Sequence, residues 1–140
     1  MKINYLLFTA ISLLIVCCGC VQESPEHAIE RLEREVYESG NMENYVRNSY
    51  CNSSCKSKME NASGLSYNET VIYMNLMFAA NEAEKQIESF EITNSEEYDS
   101  NNVKVYYSIY YKNAEQRDDF AYMTKKDGKW LIDIDRELFG

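Results

Sequence analysis

The segment Asn102–Lys112, NVKVYYSIYYK, alternates without a break. Val103, Val105, Tyr107, Ile109 and Tyr111 fall on one side, and Lys104, Tyr106, Ser108, Tyr110 and Lys112 on the other. Successive side chains of a strand point to opposite faces, so this stretch can bury one face only as a β-strand. Its neighbours extend it into a sheet. Ile87–Thr93 reads as a preceding strand, followed by a polar connection over Asn94–Asn102. Arg117–Lys125 reads as a third strand, with Phe120 and Tyr122 on one face. Asp127-Gly128 is a strong two-residue hairpin turn, leading to a last strand with Trp130, Ile132 and Ile134 inward and Leu131, Asp133 and Asp135 outward. The second half of the chain is therefore expected to be an antiparallel sheet of about four strands.

The first half has the helical period instead. Ser24 is placed as an N-cap with Pro25 at the first helical position, and Ala28, Ile29, Leu32 and Val36 then share one stripe that Gly40 ends. His27, the sole histidine, falls with Arg31 and Arg34 on the opposite, solvated face. A short second helix runs through Met42, Tyr45 and Val46. Residues 47–66, rich in Asn and Ser, read as a polar loop holding Cys51 and Cys55. Ser66 and Glu69 then form a capping box, opening a helix to about Lys85. Its packing stripe is read as Ile72, Leu76, Ala79 and Ala83, while Tyr73, Met74, Met77 and Phe78 make the other side apolar too. Two readings follow: a helix sandwiched between sheet and first helix, or a second face that lines a cavity or meets a partner through adaptable methionines.

This succession of SPEHAIERLEREVYESGNMENYV, a third helix, consecutive strands and the closing hairpin KKDGKWLIDI resembles the lipoprotein branch of the nuclear-transport-factor-2-like (NTF2-like) superfamily. The resemblance covers most of residues 24–135 and implies a cystatin-like α+β cone, in which helices fill the concavity of a curved sheet. Some members use the resulting pocket for catalysis, others for binding or dimerisation, and fold alone does not choose between them. Catalytic relatives such as ketosteroid isomerase place an acidic general base inside the cone. Here Asp133 and Asp135 should point outward, and Asp118 shares the face of Phe120 and Tyr122. Glu88, with the parity of Phe90 and Ile92, is the best candidate for an inward acid, with Tyr107 or Tyr111 as its partner.

Residues 1–20, MKINYLLFTAISLLIVCCGC, carry one lysine, an apolar run and small residues at its end, the build of a signal peptide. Their close resembles the lipobox of lipoprotein signals, with Gly19 before a modified Cys20; Cys18 is the rival acceptor. The apolar run is also just long enough to remain as an anchor helix. The expected organisation is a signal over 1–20, a linker over 21–24 and one α+β domain over 25–140. The domain would lie outside the cytoplasm, held to the membrane by lipid or by the N-terminal helix.

Residues 1–19 contain one lysine and no acid, so their removal takes the net charge from −9 to −10. Nucleic-acid binding needs a cationic face and is excluded as an expectation. Cys51 and Cys55 are expected to pair as a disulfide in an oxidising compartment, and neither a metal site nor a cofactor is expected. Asn52, Asn61 and Asn68 head three glycosylation sequons. Tyr106 and Tyr110 would stand on the outer sheet face, an unusual place for aromatic rings, and suggest a homodimer or envelope-protein contact there. The leading expectation is a membrane-tethered, non-catalytic domain that binds a ligand or partner. The alternatives are a small enzyme with an acid in the cone, and a glycosylated structural surface protein.

Overall fold

Ser24 accepts a hydrogen bond from the His27 backbone N–H at 3.2 Å, and Gly40, at φ 64°, closes the same helix by donating to the Val36 carbonyl at 2.8 Å. This is α1, Pro25–Ser39. The computed structural model describes residues 22–82 and 84–140; the signal segment with Cys18 and Cys20, Val21 and Ala83 lie outside them. After α1 come α2 (Met42–Arg47), α3 (Ser53–Ser63) and α4 (Tyr67–Asn81). The strands are β1 (Ile87–Asp99), β2 (Asn102–Tyr111), β3 (Gln116–Lys126) and β4 (Lys129–Ile132), and a last helix α5 spans Ile134–Phe139. The class is α+β, helices first and then one antiparallel sheet in the order β1-β2-β3-β4.

The alternation in β2 works as expected: Val103, Val105, Tyr107, Ile109 and Tyr111 are all buried. Helix α1 lies across this face and touches all four strands. Ala28, Ile29 and Val36 are buried there, as is Tyr37, with Leu32 at the margin. At the tip of the β3–β4 hairpin Asp127 and Gly128 both have positive φ, 49° and 78°, the requirement of the tight turn that Asp-Gly satisfies.

Four sequence expectations are corrected. The polar loop holds a helix, α3: Asn52 caps it by accepting from Cys55 N–H at 2.9 Å, and Gly64 ends it in the left-handed region. Only Cys55 and Met59, four residues apart, are buried from α3, too few to stand out as a stripe among Asn and Ser. The Cys51–Cys55 disulfide ties its first turn to the preceding residue of the loop. Strand β1 runs on through the supposed connection to Asp99, because an edge strand is held by backbone pairing and needs few apolar side chains. The last strand stops at Ile132, where Asp133 accepts from Arg136 N–H and starts α5.

The fourth correction concerns α4. It ends at Asn81, and its buried side is Thr70, Val71 and Phe78, with Met74 partly covered. Ile72 and Leu76 are 48% and 62% exposed, and Ala79 is exposed as well. A polar residue sets this choice. Asn75 accepts from the Met42 and Glu43 N–H groups at 2.8 and 3.3 Å, and so completes the capping of α2 that Asn41 begins at the Asn44 N–H. Because α4 packs on α2 and α3, the face that carries Asn75 turns inward and Leu76 turns out.

Candidate functional site

Between α1, α2, α4, α5 and the sheet lies a cavity of 540 Å³. Its walls are mostly apolar: Val36 from α1, Met42 and Val46 from α2, Met74, Met77 and Phe78 from α4, and Leu138 from α5. The size and the balance of many apolar walls with a few convergent polar groups are those of small-molecule sites.

The polar groups converge on Glu33, the one acidic side chain of α1 that faces the core. Glu33 accepts from the Tyr107 hydroxyl at 2.9 Å and from an Arg117 Nη at 3.1 Å, with the Tyr45 hydroxyl farther off at 3.5 Å. Arg117 also donates to the Tyr37 hydroxyl at 2.9 Å, which in turn accepts from Tyr111 at 2.8 Å. Its Nε, a buried atom without a hydrogen-bond partner, faces Asp119 at 3.4 Å. Burial raises the Glu33 carboxyl above the usual carboxylate range against the opposing pull of Arg117. Burial works against the Arg117 charge as well, but Glu33 and the surrounding tyrosines more than offset it, so the guanidinium stays protonated. Tyr107 is pushed far up by burial and then by Glu33, and so remains a neutral donor.

A second acid comes from the other side. Strand β4 is too short to cover β3, and α5 takes its place along that edge. Asp133 N–H donates to the Tyr122 carbonyl at 2.7 Å, and the Tyr122 N–H donates to the Glu137 carboxylate. Glu137 thus satisfies a strand-edge donor while lining the cavity. Its carboxyl is pushed up to about 7, chiefly by burial and then by Asp119, Glu33 and Asp133, against the lowering effect of the Tyr122 bond.

Of the residues singled out in the sequence, Met74, Met77, Phe78 and Tyr107 line this cavity. Tyr111 does not; it is buried in the core beside Tyr37, the rings 5.4 Å apart. Tyr106 and Tyr110 stand on the outer sheet face, where their hydroxyls meet Glu96 and Glu91, each at 3.3 Å. Lys104 covers the Phe120 ring on that face at 3.9 Å. Asp118 lies there too, bonded to Ser108 at 2.6 Å. Glu88 is exposed, because the β1 register shifts between Ile87 and Ser89 and the parity argument fails across that irregularity. Asn52, Asn61 and Asn68 are all exposed, and so is His27. Among the described residues no group of three or more His, Cys, Asp or Glu could hold a metal ion, and no helix is long and apolar enough to cross a membrane.

The residues that sequence reasoning missed are Glu33, Tyr45, Arg117, Asp119 and Glu137. A signal existed for the first: Glu33 lies one residue after Leu32 and three before Val36, inside the apolar stripe of α1. Arg117 and Asp119 share the parity of the buried Ala121 and Met123 on β3.

A family profile described as "Domain of unknown function (DUF4878)" matches residues 18–133. No curated protein matches the sequence. Among solved structures, a Campylobacter jejuni protein named as an NTF2-like transpeptidase is similar in fold, with a TM-score of 0.57 and 18% identity over 79% of this chain and 97% of that one. At that identity the likeness is one of fold, and it agrees with the helices-then-sheet order described above: the fold is NTF2-like.

Proposed function

The chain belongs to the DUF4878 family, whose function is unknown, and on that premise we propose that it is a membrane-tethered, extracytoplasmic, non-catalytic domain that binds a small ligand in its cone. The observation that carries this reading is the 540 Å³ cavity, apolar on its walls and polar at one end. A polar cluster so deeply placed is costly unless its groups satisfy one another, and Glu33, Tyr107, Tyr37 and the terminal nitrogens of Arg117 do so. They therefore form a preorganised surface rather than a collapsing one.

A tether at Cys20 would fit the same reading. Gln22, the first described residue, donates to the Gly128 carbonyl at the β3–β4 turn, and α1 begins beside it. The cavity takes its α1 residues from Glu33 onward, so its α1 wall reaches Tyr37, about 18 Å along that helix at 1.5 Å per residue. With Cys20 at the membrane, the first half of α1 would lie between the tether and the pocket. Filling the cavity tests this: Met74→Trp should abolish binding of small apolar probes to the full-length protein while its fold persists. Unchanged probe binding would reject the pocket. Intact-mass analysis of protein from its own host would read the lipid on Cys20, the Cys51–Cys55 bond and any glycans at the three sequons together.

A second reading has one feature of the geometry behind it: Glu137 lines the cavity and Glu88 does not. Glu137, with its carboxyl at about 7, has the poise of a general base at neutral pH, so an enzyme in the cone would use this residue rather than Glu88. Turnover of any substrate that disappears in Glu137→Gln while binding persists would favour it over simple binding.

A further inference from the structure

Among the described residues, the cavity lining carries four acids against a single cation. Arg117 is its one cation, and both terminal nitrogens are committed, to Tyr37 at 2.9 Å and to Glu33 at 3.1 Å; its Nε lies against Asp119 at 3.4 Å. Glu33 and Asp119 already outweigh that single charge, and Glu137 adds a third carboxylate as pH rises past its value of about 7. Glu82, on the lining near the end of α4, is answered separately by Lys85 at 3.0 Å. Aromatic groups border the same space, with Tyr45 and Tyr73 among the lining residues. Carboxylates beside aromatic faces are the surroundings that stabilise an ammonium group, whereas a carboxylate or phosphate head would meet repulsion from three acids. The remaining walls, Met42, Met74, Met77 and Leu138, suit a flexible apolar tail.

We propose that the cone selects small cationic amphiphiles: an ammonium head held between Asp119 and Glu137, with an alkyl or aryl body against the α4 methionines. This rests on the pocket reading above and adds the charge class of its ligand. Glu33 takes no direct part, being occupied with Tyr107 and Arg117; its contribution is to neutralise the guanidinium so that the two outer acids keep their field.

The test is a matched series of hexylammonium, hexanol and hexanoate, titrated into full-length protein carrying 13C-labelled methionine methyls. Hexylammonium should bind at least tenfold more tightly than hexanoate, with hexanol between them, through saturable shifts at Met74 and Met77. Glu137→Gln keeps an oxygen for the Tyr122 N–H, and Asp119→Asn alters a half-exposed side chain, so both variants should fold; undisturbed Met59 and Met123 signals verify this. Each should weaken hexylammonium three- to tenfold and leave hexanol within twofold. Hexanoate binding as tightly as hexylammonium, or equal effects of the variants on all three probes, would overturn the charge selection while leaving the pocket intact. No saturable shift with any of the three would overturn the pocket itself.

Discussion

Arg117→Met separates the two roles of the buried ion pair. Methionine keeps much of the side-chain volume but leaves the Glu33 carboxylate, 8% exposed, without its cation. Breaking a fully buried pair from one side costs about 3–5 kcal/mol. Arg117 is itself 36% exposed, so water replaces part of what is lost, and a discounted cost of about 2–3 kcal/mol is expected. At about 4 °C per kcal/mol for a domain of this size, Tm should fall by about 8–12 °C near pH 8. The pH dependence is the sharper signature. Loss of Arg117 raises the folded-state value of Glu33 still further above its unfolded value, so the native state binds the extra proton. The penalty is then absent below the unfolded value, near pH 4.5, and complete only above the raised folded value. Denaturant unfolding at pH 4.5 and pH 8 should therefore show a variant that approaches the parent at acid pH. Glu33→Gln/Arg117→Met, which removes the unpaired charge, should be more stable than Arg117→Met alone at pH 8. A penalty under about 0.5 kcal/mol, or one equal at both pH values, would refute the reasoning.

Glu137 gives a second pH dependence with the same sign. Its folded value of about 7 lies above the unfolded value, so the parent should lose stability as pH rises from about 5 to about 7, by about 2 kcal/mol after allowance for its only partial burial; Glu137→Gln should flatten that slope, as chemical denaturation across the range would show. Reducing the Cys51–Cys55 disulfide, which closes a five-residue loop, should cost about 2 kcal/mol, read as a shift in denaturant midpoint. Val71→Asp should unfold the protein or lower Tm steeply, whereas Leu76→Asp should leave it nearly unchanged, since Val71 is buried and Leu76 is 62% exposed; circular dichroism melts compare the two. Glu88→Gln should change neither stability nor probe binding, measured by the same melts and by titration.

The presence and order of the strands, and the caps, were legible because they depend on local chemistry; the ends of β1 and β4 were not. Period-two alternation in β2, Ser24-Pro25, the Ser66–Glu69 box and Asp127-Gly128 each describe a structure that a few neighbouring residues determine. The inward face of α4 was not, since its residues are apolar nearly all round and Asn75, a polar residue bonded across to α2, decides it. α3 was hidden by composition: Asn52 and Gly64 mark its ends clearly, but only two buried residues lie between them. The site suffered from a related difficulty. Glu33, Arg117 and Asp119 were in positions that face inward by simple periodicity, yet charges are ordinarily assigned to solvent, and Glu33 and Arg117 are separated by 84 residues. Glu88 failed for the opposite reason, since parity counted across a register shift in β1 placed it on the wrong side.

Methionine methyl NMR tests the central claim most directly, because the protein carries its own controls. Met42, Met74 and Met77 line the cavity, while Met59 and Met123 are buried elsewhere in the core. Titration with hexylammonium should move the first three along one saturable curve and leave the other two in place. Shifts confined to Met59 and Met123, uniform drift of all five, or no saturable change would contradict a ligand-binding cone.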